Sequence, residues 1–375
     1  FEEHHPAASS DADLVLVDRA LSLHGAVPDE EPDEIIPAAA APSLFSTAPL
    51  LEALELNDDE TTRLFGGDRH DEEYEDDRLL SFFTGMNRHV VLKAKELRVL
   101  RPHGHIMRTG GGLIPDEASL TSTAWMAGVF HSMVTQGHVN INRFLSTAHS
   151  YLRLLCSNGQ RIFVELDNRW QLLDVPSAFA MEPDGCRWIY KHNAGLIEVR
   201  SGAPADSHVL TLALNVLSGD PVRFLISNHV AINGDDGSNA VPVECEEDHE
   251  GIFVRAVPDC DVGRRFPGGG FRIAFQPGTA VERTGRDELL FADGQSRNLP
   301  FLCVLTAPVL SAGLQISGCL IEKDESAMAA PAAEGYGSDL TPVLSVAPPA
   351  ASPLAGPMSR FKTILPWYIQ NAFVH

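Results

Sequence analysis

The chain is short of positive charge, of aromatic side chains and of every common catalytic signature. Each shortage narrows what it can be. Its 28 Lys and Arg face 51 Asp and Glu, a formal net charge of -23. A field of that sign repels nucleic acid and anionic lipid and argues against both as partners. The imbalance is local: residues 1–80 hold 22 acidic and 4 basic side chains, and the rest of the chain holds 29 and 24. No pair of the six cysteines (Cys156, Cys186, Cys245, Cys260, Cys303 and Cys319) forms a CxxC motif. A chain of 375 residues needs no disulfide frame, so reduced, mostly buried thiols in a cytoplasmic protein are expected. The absence of an Asn-x-Ser/Thr sequon agrees with that reading.

There is no GxSxG elbow, no GxxxxGK[ST] phosphate loop, no HExxH and no GxGxxG between a strand and a helix. The acidic cluster "DRHDEEYEDDRLLSFF" lacks metal-ligand spacing and reads as a solvated face or arm, so no metal is expected. No signal segment follows the initial Phe1, and "LPWYIQNAFVH" stops inside an amphipathic pattern. Both ends read as cut, and an internal piece of a longer protein is expected. Phe301–Ile321 carries no charge and is long enough to span a bilayer. Pro308, Gly313 and Gly318 interrupt it, however, and it divides into "FLCVLTA" and "LQISGCLI", each the length of a buried strand. No membrane span is expected.

What the chain does contain is turn-punctuated alternation. In the first 65 residues, helix signals in "SSDADLVLVDRALSL" and "APLLEALELNDDETTRLF" flank the acidic connector "PDEEPDEIIPAAAAP". From about Val90 the runs "HVVLKAKELRVLR", "CRWIYKH", "GLIEVRSG", "HVLTLALNVLSG", "PVRFLISNHVAIN", "GIFVRAV" and "FRIAFQ" read as strands. "GQRIFVELDNRWQLLDVP" reads as two strands joined at Asp167-Asn168. Many short strands between turn signals predict a large antiparallel sandwich. The expected layout is an acidic, partly helical region at 1–89, a β domain at 90–321, an Ala/Pro-rich linker at 322–358 and a helix from 359 to 375.

The stretch "RPHGHIMRTGGGLIPDEASLTSTAWMAGVFHS" concentrates polar chemistry. His103 and His105 would share one side of an extended chain, a pattern that suits anion or sugar-hydroxyl binding and equally suits two surface histidines. With Arg108, Asp116 and Glu117 they make five groups that are costly to bury unpaired, so the expectation is a surface position or, as its alternative, an internally paired loop with Arg108 neutralised by Asp116 or Glu117 and no ligand role. Trp125, Trp170 and Trp188 read as strand core before sugar-stacking platforms, and Arg187, Arg200, Arg223 and Arg255 as salt-bridged strand residues.

The runs "PHGHIMRTGGGLIPDEASLTSTAWMAGVFHSMVTQGHVNINRFLSTAHSYL", "GQRIFVELDNRWQLLDVPSAFAMEPDGCRWIY" and "LPWYIQNAFVH" resemble glycoside hydrolase family 94. The likeness is strongest to its 1,2-β-oligoglucan phosphorylase group, with cyclic β-1,2-glucan synthase as a relative. The resemblance implies a β-supersandwich followed by an (α/α)6 barrel whose first helix would open at 359–375. It implies cleavage of a β-glucan by inorganic phosphate, as co-substrate without other cofactor, to give α-glucose 1-phosphate with inversion. It places the general-acid Asp in the barrel, beyond His375, so no catalytic residue is assigned here. It makes His103, His105, Arg108, Asp116, Glu117, Trp367 and Tyr368 candidate substrate-binding residues. The partners it implies are a β-glucooligosaccharide, the barrel of the same chain and a second copy in a homodimer. Two alternatives stand beside it: a non-catalytic carbohydrate-binding or assembly module, and a segment of a cyclic glucan synthase.

Overall fold

The computed structural model describes residues 41–85, 87–111, 117–137, 142–148, 154–234, 241 and 243–320. The helix signal in 9–23, residues 28–40 of the connector at 28–42, the linker at 322–358, the barrel helix at 359–375 and the residues Asp116, Trp367 and Tyr368 lie outside them.

Nineteen strands are formed among the described residues. In chain order they begin with β1 (Arg69–Glu75), β2 (Arg78–Thr84), β3 (Arg88–Leu92), β4 (Gly104–Arg108), β5 (Leu120–Trp125) and β6 (Val129–Gln136). There follow β7 (Gln160–Leu166), β8 (Arg169–Leu172), β9 (Ala178–Glu182), β10 (Gly185–His192), β11 (Gly195–Gly202), β12 (Val209–Ser218) and β13 (Arg223–His229). The last are β14 (Glu244–Glu247), β15 (Gly251–Arg255), β16 (Gly270–Phe275), β17 (Val281–Gly285), β18 (Phe301–Thr306) and β19 (Ser311–Cys319). They build an eleven-stranded sheet in the order β1-β2-β3-β9-β10-β11-β12-β19-β16-β15-β14. A five-stranded sheet runs β17-β18-β13-β7-β8, and a three-stranded one β4-β5-β6. The architecture is mainly β and antiparallel, with few and short helices.

Strand periodicity explains the layers. Along β10, Cys186, Trp188 and Tyr190 enter the main core, and Ile189 turns to the opposite face. That core takes Phe179, Val199 and Leu212 from the large sheet, Ile162, Phe224 and Val304 from the five-stranded sheet, and Met107 and Phe130 from the three-stranded one. Trp188 is fully buried, edge-on to Phe130 with ring centroids 4.9 Å apart, and its Nε1 donates to the Trp125 carbonyl at 3.1 Å. A buried aromatic of this size is worth several kcal/mol, about 3–5 on truncation to Ala. On the outer side of the large sheet, Phe82, Val90, Ala180 and Ile189 pack with Phe65.

The uncharged run at 301–321 divides as its breakers suggest. Its first half is β18 of the five-stranded sheet and its second is β19 of the eleven-stranded one, so the chain changes layer at Pro308. No helix among the described residues is long and apolar enough to cross a membrane. The segment expected to be helical before Gly66 divides differently. Only Asp58–Phe65 is helical, started by a capping box in which Asn57 and Glu60 bond each other's backbone N–H. Residues 50–54 alternate in burial instead, and the Leu51 N–H donates to the Leu172 carbonyl at 2.8 Å. Period-2 burial beside β8 outweighs their helix propensity. The large sheet also takes in β1 and β2, so it starts upstream of residue 90.

Candidate functional site

The polar stretch from His103 to Glu117 is not an open loop. His105 and Arg108 are buried, 7% and 8% exposed, which corrects the expectation of a surface position for both. The cause is that residues 104–108 form β4, laid against the β9–β10 turn and the β11–β12 connection. The His105 Nε2 lies 3.3 Å from the Pro183 carbonyl, and the Gly110 N–H donates to the Pro204 carbonyl at 3.0 Å. Burial pushes the His105 imidazole down to about 4, so at neutral pH its Nε2–H is the donor. His103 finds a different partner. Its Nδ1 sits 2.6 Å from Glu96 Oε2, and its backbone N–H donates to the same oxygen at 3.1 Å. The two imidazoles are therefore not brought to one site. Gly104 between them is required: a Cβ there would stand 2.4 Å from the Trp125 ring. Glu117 is exposed, and its carbonyl accepts from Gln136 Nε2 at 3.1 Å.

Next to this stretch, on the outer face of the large sheet, a cleft of about 490 Å³ crosses β9, β10, β11, β12 and β19. Register puts its floor in rows. Ala180 opposes Arg187, Arg187 opposes Arg200, Arg200 opposes Ala213, and Ala213 opposes Gly313. Gln276 lies over Gly313, where a Cβ would stand 2.1 Å from its Oε1. Glu198, only 3% exposed, accepts from Arg187 Nε at 2.5 Å, from Arg200 at 3.0 Å and from Asn215 Nδ2 at 3.2 Å. Burial by itself would raise the Glu198 carboxyl. The hydrogen bond from Arg200 and the charges of both arginines outweigh it and hold the group below its usual value. At one end Arg88 pairs with Glu182, and burial raises the carboxyl of Asp184.

All four strand arginines named from the sequence are ion-paired: Arg187 and Arg200 with Glu198, Arg223 with Glu165 and Glu282, and Arg255 with Glu246. Pattern reading did not find the cleft, because its arginines read as ordinary salt-bridged strand residues and its room comes from small ones such as Ala180, Gly202, Ala213 and Gly313. Those residues carry no motif until strand register aligns them. Chemically the site offers hydrogen-bond donors and acceptors whose charges are already matched in pairs. It can hold a polar ligand, and no side chain in it stands out as a nucleophile beside a base.

Residues 67–312 match the glycoside phosphorylase supersandwich domain. A 1,2-beta-oligoglucan phosphorylase of Listeria innocua serovar 6a is 32% identical over 225 residues, 60% of this chain and 20% of that protein. The chain thus spans about a fifth of the length of that curated relative. The solved structure of a polysaccharide lyase overlaps 52% of this chain and 31% of its own, with 12% identity and a TM-score of 0.31, a likeness too slight to bear on fold. The match to the domain covers well over half of the chain and coincides with the sheets that carry the cleft, and on it this chain belongs to the glycoside phosphorylase supersandwich domain family.

Proposed function

We propose that the chain is the supersandwich part of a protein that cleaves β-1,2-glucooligosaccharides with inorganic phosphate, releasing α-glucose 1-phosphate with inversion. The observation that carries this reading is the relationship, over 225 residues, to a protein named for that substrate. In such a reaction a carboxylic acid protonates the departing glycosidic oxygen, and phosphate attacks the anomeric carbon from the opposite face. Cationic and polar donors hold the phosphate in line. The general acid is assigned to a catalytic barrel elsewhere in the same protein, and the domain described here supports that barrel. Within the stretch 103–117, the reading assigns contact with a substrate or the barrel to His103 and Glu117. A cytoplasmic location and a homodimer belong to the same proposal.

The test uses the protein that contains this chain, and the chain by itself. The former should release glucose 1-phosphate from β-1,2-glucooligosaccharides only when phosphate is present. Residues 1–375 alone should release none. Hydrolysis without phosphate dependence in the former would remove the phosphorylase reading. Release by the isolated chain, abolished by a substitution within it, would remove the assignment of the acid to a barrel.

A further inference from the structure

We propose that the outer-face cleft of the eleven-stranded sheet is a binding site for a neutral polyhydroxylated chain, a short β-linked glucooligosaccharide. The choice of glucan rests on the phosphorylase reading above; the neutral, hydroxyl-rich class follows from the cleft itself. Its floor crosses five adjacent strands, with Ala180, Gly185, Gly202, Ala213 and Gly313 leaving room around the paired Arg187 and Arg200. Four strand spacings give a trough of ~19 Å, the reach of an oligosaccharide rather than a single sugar. Three cations, Arg88, Arg187 and Arg200, stand in it against three carboxyls, Glu182, Asp184 and Glu198.

That balance decides the ligand class. Arg88 is matched by Glu182, and Arg187 and Arg200 share Glu198, so a phosphate anion meets no surplus of positive charge. The groups still have hydrogen-bonding capacity at the surface: the Arg200 side chain is 52% exposed and that of Glu182 29%. Rows of mixed donors and acceptors suit sugar hydroxyls, which both donate and accept. The floor carries no large apolar side chain, which disfavours an amphipathic protein segment as occupant. One end is closed by the turn after β16, where the Gln276 N–H and Thr279 Oγ1 both donate to the Gly313 carbonyl, at 2.9 and 3.1 Å.

The experiment is calorimetric titration of the 375-residue chain with β-1,2-linked glucotetraose, with cellotetraose and with inorganic phosphate. Saturable binding of an oligosaccharide is expected, little changed by salt, with no heat from phosphate. Ala213→Gln, which fills the floor from the outer face, should weaken it about tenfold or more at an unchanged thermal midpoint. Ser311→Gln makes the same obstruction at the exposed rim if the first variant fails to fold. Absence of saccharide binding, binding undiminished in the folded variant, or displacement of the saccharide by phosphate would each overturn the site. Failure of the phosphorylase reading looks different: saccharide binding with no phosphate-dependent cleavage by the containing protein removes that reading and leaves the cleft.

Discussion

Arg187 and Arg200 stand directly opposite each other across the β10–β11 pair, two like charges in a position where repulsion destabilises a sheet. The buried Glu198 carboxylate between them turns that repulsion into a shared ion pair. Arg187 is held further by donation from Nη1 to the Leu64 carbonyl at 2.7 Å, and its guanidinium lies 5.1 Å over the Phe65 ring. The triad thus ties the helix Asp58–Phe65 to the face that carries the cleft.

Glu198→Gln should therefore cost far more than an ordinary surface change. It leaves two facing guanidinium groups with no counter-charge, a loss of about 3 kcal/mol. For a domain of this size that lowers the thermal midpoint by roughly 6–12 °C. The pH dependence has a definite sign. The folded carboxyl titrates below its unfolded value of 4.5, so its contribution is complete above that value and fades as acid approaches the folded one. Scanning calorimetry of wild type and variant across that range checks this: the gap between them should narrow in acid.

Three histidines set a second, separate acid limit. Burial pushes His89, His105 and His131 each down to about 4 from 6.5. His131 is locked as a neutral tautomer, Nε2 donating to the Thr211 carbonyl at 2.9 Å and Nδ1 accepting from Ser122 Oγ at 2.8 Å. The unfolded chain binds these protons first, so stability is full above 6.5 and declines as pH falls toward 4. Each fully titrated group costs roughly 3 kcal/mol. His105→Gln should flatten this slope and leave saccharide affinity within about twofold, because the imidazole faces a carbonyl and not a ligand. Midpoints measured at several pH values decide it; an unchanged slope would show that His105 is not buried neutral.

How far the sequence declared this structure is best seen in two hairpins. Asp167-Asn168 lies between obvious hydrophobic runs and was legible as a turn; its residues have φ of 52° and 57°. Asp76-Asp77 makes the same kind of turn, with φ of 48° and 61°, between β1 and β2. There the incoming strand "RHDEEYE" is polar throughout, so alternation had nothing to alternate and only its solvation was readable. The stretch 103–117 misled for a related reason. Its polar residues pointed to a surface, but His105 and Arg108 are buried in a stretch where His105 meets Pro183 and Gly110 meets Pro204, about 80 to 100 residues downstream. Local composition does not encode those contacts. The cleft was hidden for another cause: Ala180, Gly202, Ala213 and Gly313 are too small to signal anything, and Arg187 and Arg200 read as ordinary strand ion pairs until register set them side by side.

Gly128 gives a test of the packing between layers. It sits in the β5–β6 turn with φ of +68°, and a Cβ there would lie 2.1 Å from the Leu173 carbonyl oxygen and 2.9 Å from the Asp174 Cα. Both obstacles are backbone, so no side chain can rotate away. Gly128→Ala should cost about 3 kcal/mol or more through strain and forced separation of the turn from the 173–174 segment. Urea unfolding should show a lower midpoint at an unchanged slope.

The two edges of the eleven-stranded sheet pose the last question, of what keeps so wide a sheet from growing. Among the described strands, β1 and β14 are the outermost. Neither has a further described strand on its outer side, and a strand edge is a template for pairing with another chain. Both are acidic: β1 carries Asp71, Glu72, Glu73 and Glu75, and β14 carries Glu244, Glu246 and Glu247, all three of these exposed. Like charges on two approaching edges oppose association at close range, beside the ion pairs that some of them make within the fold, as Glu246 does with Arg255. Glu244→Thr combined with Glu247→Thr removes two of these charges and supplies residues favoured in strands. The double variant should keep the thermal midpoint within a few degrees and form concentration-dependent oligomers in light scattering, more so at high salt, which screens the charges that remain. A variant that stays at the parent's mass at every concentration would show that edge charge is not what limits the sheet.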